Sequence, residues 1–107
     1  MPPDASHEIR RRGDTVELLV DGRVGSSAEV HDRGHDRAIV HTETADGFEG
    51  RGLAGELVTA MLGQIRTEGL GLVPVCPYVQ SYLKKHPEYA DLVPAGRREE
   101  FGLPHSA

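Results

Sequence analysis

The sequence predicts a mixed α/β (α+β) fold, an antiparallel sheet that leads into one parallel strand–helix–strand crossover. Three observations carry this. Apolar residues alternate with period two on both sides of Asp21-Gly22, the pattern of half-buried strands joined by a tight turn. From Leu53 the apolar period lengthens to that of a helix. A continuous apolar run over 70–76 follows, as expected of a strand buried on both faces.

The elements follow in order. Residues 1–6 are Pro-rich and polar and predict a loose end. Residues 8–12 suit a short, charged edge strand. Val16, Leu18 and Val20 alternate over 15–21, and Val24, Ser26, Ala28 and Val30 alternate over 23–31. Asp-Gly between them tolerates the positive φ of a two-residue hairpin turn. A polar loop is expected over 31–36 and a third long strand over 37–44. Strict alternation puts Ala38, Val40 and Thr42 on one of its faces and Ile39, His41 and Glu43 on the other. A Gly-rich turn over 45–52 precedes a helix with Ala54, Leu57, Val58, Met61, Leu62 and Ile65 on its apolar face. Gly69 is a natural helix stop. After the apolar strand, Pro77 can open a second helix, because a first-turn residue needs no backbone donor. That helix runs to about Lys85, before His86-Pro87. The folded domain is expected over 7–93, and 94–107 reads as an exposed tail.

The chain has 107 residues, a net charge of −5, 37% hydrophobic residues, 5% aromatic residues and no Trp. That suffices for one small core, which must be aliphatic. A net acidic chain is a poor match to nucleic acid, whose phosphates call for surplus Lys and Arg. No apolar run approaches the ~20 residues of a membrane span, and the start has neither the basic nor the apolar part of a signal peptide. The single cysteine, Cys76, excludes an internal disulfide. A reducing, cytoplasmic setting fits.

Chemistry has four candidate places. The loop over 47–54 joins a strand to a helix start and contains Gly50, Gly52 and Arg51. Glycines admit close approach to backbone amides, and the helix dipole favours an anion there, so a phosphate or pyrophosphate is the natural ligand. The Lys-Ser/Thr ending of a nucleotide-hydrolysing loop is absent. Pro74 interrupts an apolar strand that should lie beside 37–44; a residue without N–H can separate neighbouring strands and free a backbone edge for an extended ligand. His41 and Glu43 share a predicted strand face and suit proton removal, or simply form a solvated face. Cys76 falls at a strand's carboxyl end, where ligands of open α/β sheets gather, although a lone cysteine often only packs. Tyr78, Tyr82 and Tyr89 follow; a helix tyrosine can donate a proton or pack. His31, His35 and His41 do not amount to a metal set, because the spacing of the first two suits a helix where a loop is expected.

Together, His41-Thr42-Glu43, the segment Glu49-Gly50-Arg51-Gly52-Leu53-Ala54, the segment Val73-Pro74-Val75-Cys76-Pro77-Tyr78-Val79 and Lys85-His86-Pro87-Glu88-Tyr89 resemble the small single-domain branch of the GCN5-related N-acetyltransferases. The resemblance runs over about residues 8–93. It implies a mixed sheet with two central strands splayed apart, one central helix and a second helix after the last core strand. It implies acetyl-CoA (coenzyme A) as cosubstrate and no metal. The pyrophosphate would meet Gly50, Arg51, Gly52, Leu53 and Ala54. The pantetheine arm would run near Thr42 to Thr44 and Val73 to Val75, with Cys76 and Tyr82 also assigned to the cofactor site. One departure is Gly47, which occupies the loop position where the superfamily has Gln or Arg.

The reading that follows is acetyl transfer to a primary amine, a small molecule or a protein Lys, by a monomer or weak homodimer. Glu43 or His41 would help remove the amine proton. The alternative is a non-catalytic acyl-CoA sensor or interaction module. Two roles stay open for Cys76: a nucleophile that carries the acetyl group, or a pocket wall beside the thioester. Thiolate attack is favoured by a helix N-terminus, which Pro77 supplies, and by a nearby cation. His41 supplies that cation if it faces the cleft.

Overall fold

The structure, a computed structural model, describes residues 6–103. Residues 1–5 of the loose end expected over 1–6, and the last four residues, lie outside the described residues. Five strands form one sheet in the order β1-β2-β3-β4-β5. They are β1 His7–Arg12, β2 Thr15–Val20, β3 Arg23–Arg33, β4 Asp36–Thr44 and β5 Gly71–Pro74. The first four pair antiparallel, and β5 pairs parallel to β4. Helix α1, Leu53–Glu68, makes the crossover between those two, and helix α2, Pro77–Lys85, follows β5.

Local chemistry explains the joints. The β2–β3 turn uses Asp21 at φ 52 and Gly22 at φ 83, the two left-handed residues of a tight hairpin. β3 and β4 continue through the polar stretch expected as a loop, leaving Gly34 and His35 as the turn. Arg37 and Asp32 explain the extension: they face each other across the ladder and share hydrogen bonds of 2.8 and 3.2 Å. α1 ends at Gly69, at φ 71, as its position after the last apolar turn requires. β5 is shorter than the apolar run, because its ladder to β4 stops at Pro74.

One core lies between the sheet and α1, α2 and the 3-10 turn Pro87–Leu92. β2 contributes Val16, Leu18 and Val20, β3 contributes Ala28 and Val30, and β4 contributes Ile39. α1 contributes Leu53, Leu57, Val58, Met61, Leu62 and Ile65. Leu53 thus opens the buried stripe in place of the expected Ala54, which is half-buried. The opposite sheet face is polar and bears Glu17, Glu29, His31, His41 and Glu43, with Glu17 held by Arg10 at 2.8 Å.

Two expectations change here. Residues 95–103 are not an exposed tail: they form the 3-10 turns Ala95–Arg97 and Glu99–Phe101, and Leu103 is 5% exposed within the core. The faces of β4 also change. Glu29 opposes His41 while Val30 opposes Ile39, so Val40 is an extra, bulged residue. A bulge shifts the alternation by one. Ile39 and Thr42 therefore share the core face with Val30 and Ala28, and His41 and Glu43 turn to the polar face.

Candidate active site

The site begins where β4 and β5 diverge. Their ladder ends at Ile39 opposite Pro74, and Pro74 has no N–H with which to continue it. The Cys76 N–H donates to the Ile39 carbonyl at 2.9 Å, and the chain then turns into α2. The Gln80 side-chain amide donates to the Pro74 and Val75 carbonyls at 2.9 and 3.2 Å, which satisfies the end of β5. Beyond this point β4 carries on through 40–44 paired with β3 alone. Its other edge is open along Thr42 and Thr44.

The loop closes the far end of that opening. Gly47, Gly50 and Gly52 stand at φ 89, 78 and 72, a region that costs glycine nothing. A Cβ at Gly50 or Gly52 would meet nothing within 4 Å, so the backbone is bare on that side. Gly52 caps α1 without a side-chain hydrogen bond. The first helical bond runs from Glu56 N to Gly52 O at 3.0 Å, leaving the amides of Leu53, Ala54 and Gly55 as the helix's orphan donors. Two buried groups fix the loop. Phe48 plugs the core below it. Ser26, 1% exposed, donates from Oγ to the Leu53 carbonyl at 3.0 Å. Gly25 allows that approach, since a Cβ there would lie 2.8 Å from Leu53 Cδ1.

At the narrow end, Thr42 Oγ1 and Cys76 Sγ share a hydrogen bond of 3.2 Å, and Cys76 is 3% exposed at the N-cap of α2. Tyr78 is exposed, and its hydroxyl lies over Gly55 in the first turn of α1. Tyr82 is placed differently from its expected cofactor role. Its hydroxyl bonds Thr59, a turn further along α1, and its ring packs on His86 and Tyr89 at 4.3 and 6.2 Å between centroids.

On the other side of the sheet, His41 Nε2 and Glu43 Oε1 are 3.0 Å apart, with side chains 60% and 65% exposed. As strand neighbours of Thr42 they point to the opposite face, across the sheet from Thr42 and Cys76, so His41 is not the cation beside the thiol. The same face holds a cavity of about 490 Å³ lined by His31, Arg33, Asp36, Ala38, Val73 and Arg97, among others. Its floor, Ala38 beside Val73, is one residue before the strands diverge. Among the described residues no group of three or more His, Cys, Asp and Glu could hold a metal. No helix among them is long and apolar enough to cross a membrane.

The structure thus gathers Thr42, Thr44, Val75, Cys76 and residues 50–54 around one opening and leaves His41 and Glu43 behind it. Sequence reasoning missed Ser26, Phe48 and Gln80. Phe48 had a signal, a lone aromatic within a glycine loop. Ser26 and Gln80 had none, because their roles depend on partners 27 and 6 residues away.

A mixed sheet whose parallel strands part beside a glycine loop at a helix start defines an α/β class with an open strand edge next to unpaired backbone amides. Comparisons with known proteins give its family. A family model for GCN5-related N-acetyl-transferase matches residues 15–92, and the chain belongs to that family. It is 31% identical over 99 residues to the human protein NATD1, covering 80% of this chain and 76% of that one. It is 35% identical over 66 residues to NATD1 of Xenopus tropicalis, covering 50% and 61%. Its fold is similar to the solution structure of a GCN5-like protein from Staphylococcus aureus. The TM-score is 0.64 at 19% identity, over 80% of this chain and 86% of that one.

Proposed function

We propose that the protein is an acetyl-CoA-dependent N-acetyltransferase that acts on a primary amine. One observation carries this: the open edge of β4 and the uncapped amides of α1 border the same opening. Family membership supports it.

Acetyl-CoA supplies an activated thioester. The chain's own groups would divide the rest. The bare backbone of 50–52 and the amides of 53–55 hold the diphosphate. The free edge of β4 at Thr42 and Thr44 holds the pantetheine arm by backbone hydrogen bonds, and Val75 borders it. Thr42 and Cys76 wall the narrow end. The acceptor approaches from the polar face, where the cavity over Ala38 and Val73 offers room, and His41 and Glu43 stand on that face to take its proton. An ammonium cannot attack until it loses that proton. The amine nitrogen then bonds the acetyl carbon, the carbon–sulfur bond breaks, and the thiolate leaves with the electron pair and takes up the nitrogen's remaining extra proton. The acidic surface suits a cationic acceptor such as a polyamine or a Lys side chain.

Titration calorimetry with acetyl-CoA tests the reading, together with Gly52→Asp. Asp tolerates the left-handed backbone better than most residues, and its carboxylate would stand against the amides and repel a phosphate. The wild type should bind and the variant should not, with the far-UV CD spectrum unchanged. Equal affinity in the two proteins sinks the loop assignment. Binding without thiol release against any amine would replace catalysis with the acyl-CoA sensor.

A further inference from the structure

Two arginines, Arg23 and Arg51, point to a second contact with the ligand's nucleotide end. They lie on different elements, at the start of β3 and in the glycine loop, yet both guanidinium carbons sit over the ring of Phe48, at 5.3 and 5.1 Å from its centroid. That distance is within reach of a cation–π attraction. Among the described residues neither is ion-paired, whereas Arg10, Arg37, Arg66 and Arg97 each hold a carboxylate within 3.1 Å. In a chain of net charge −5, two such exposed guanidiniums sharing one buried ring are a pre-set anion site: the ring restrains both, and among the described residues neither is ion-paired to a carboxylate.

Register fixes where this pair stands. Thr42, which touches Cys76, opposes Ala28, and Thr44 opposes Ser26. Arg23 lies further along β3 in the same direction, opposite Val20, roughly 17 Å from the Ala28 row at about 3.4 Å per residue. Arg23 therefore stands past the end of β4 on its β3 side, away from the thiol, and Arg51 reaches the same ring from the loop. A ligand with its thioester near Cys76 and its diphosphate on 50–54 would carry its ribose beyond that end of β4.

We infer that Arg23 and Arg51 clamp the 3′-phosphate of the coenzyme A ribose and so select coenzyme A over its 3′-dephospho form. This rests on the acetyl-CoA reading. Each guanidinium offers a planar fork of donors that matches phosphate oxygens.

The experiment is a calorimetric cycle of two ligands, acetyl-CoA and acetyl-3′-dephospho-CoA, against wild type and Arg23→Gln. Arg23 is exposed, so the variant should fold. The wild type should bind acetyl-CoA about tenfold more tightly than the dephospho form, as for loss of a charge-assisted contact. Arg23→Gln should lose that preference while binding the dephospho form as wild type does. A variant weakened equally towards both ligands, or towards neither, overturns the clamp and leaves the acetyl-CoA reading standing. A wild type that binds neither ligand overturns that reading and the clamp with it.

Discussion

Cys76 is held by two neighbours, the Thr42 hydroxyl at 3.2 Å and the first turn of α2, which its backbone caps. Thr42 is an uncharged partner, and the His41 imidazole is on the other side of the sheet. Of the two conditions that activate a thiol, a helix N-terminus and a nearby cation, only the first is met by these residues. The pocket-wall role is therefore the expected one. Incubation with acetyl-CoA and no acceptor should leave the intact mass unchanged, and Cys76→Ala should keep most of the turnover. An acetyl adduct that disappears in Cys76→Ala and is chased by amine would establish the covalent route instead. The sequence placed Cys76 well, because a strand end followed by Pro is visible in residue order. It put His41 and Glu43 on the face of Ile39, because Val40 is as good a residue for a regular strand as for a bulge, and nothing in its type announces the extra position.

The β3–β4 hairpin owes its length to one cross-strand group. Asp32 accepts from Arg37 Nε at 2.8 Å and from Arg11 at 3.3 Å, so it links β1, β3 and β4. The hydrogen bond from Arg37 holds its carboxyl below the ordinary carboxylate range, aided by the charges of Arg37 and Arg11. A lowered folded-state pKa gives stability that is present above the unfolded value of about 3.9 and is lost as pH falls through the folded value. The Asp32 side chain is partly exposed and the pair is screened, so the contribution is at most about 1 kcal/mol. Asp32→Asn should lower the urea midpoint at pH 7 slightly and flatten the decline below about pH 4, measured by CD. An unchanged acid limb would remove Asp32 from it. Asp91, lowered by its hydrogen bond with Arg66, has the same sign and should preserve some of the limb. The hairpin turn at Asp21-Gly22 was legible because a dipeptide encodes it. The extension through His31, Asp32 and Arg33 was not, because polar residues paired across strands look like a loop in one dimension.

At the scale of the whole molecule, the core is completed by the far end of the chain. Residues after Val93 return to the surface of the helical layer: Arg98 donates to the Val93 carbonyl at 2.8 Å, the Leu103 N–H donates to the Arg98 carbonyl at 2.9 Å, and Leu103 enters the cluster with Leu83 and Leu92. Gly96-Arg97-Arg98-Glu99-Glu100 carries no apolar period, so the sequence pattern ended the domain at 93. A 3-10 turn needs no amphipathic stripe, and one leucine at its end anchors it without a repeat. The prediction separates the two boundaries. If the domain stops at 93, Leu103→Ala is a surface change and the melting temperature should move by no more than about 2–4 °C, since such substitutions cost under ~0.5 kcal/mol. With Leu103 buried as described, the substitution removes a core side chain at the edge of the cluster. There the neighbours can partly close the gap, so the loss should be near the low end of the usual Leu→Ala range, about 2 kcal/mol. For a domain of this size that lowers the melting temperature by roughly 8–16 °C. Calorimetric melting of the wild type and Leu103→Ala reads the difference directly. A shift of that size assigns residues 95–103 to the folded unit, and an unshifted transition returns the boundary to 93.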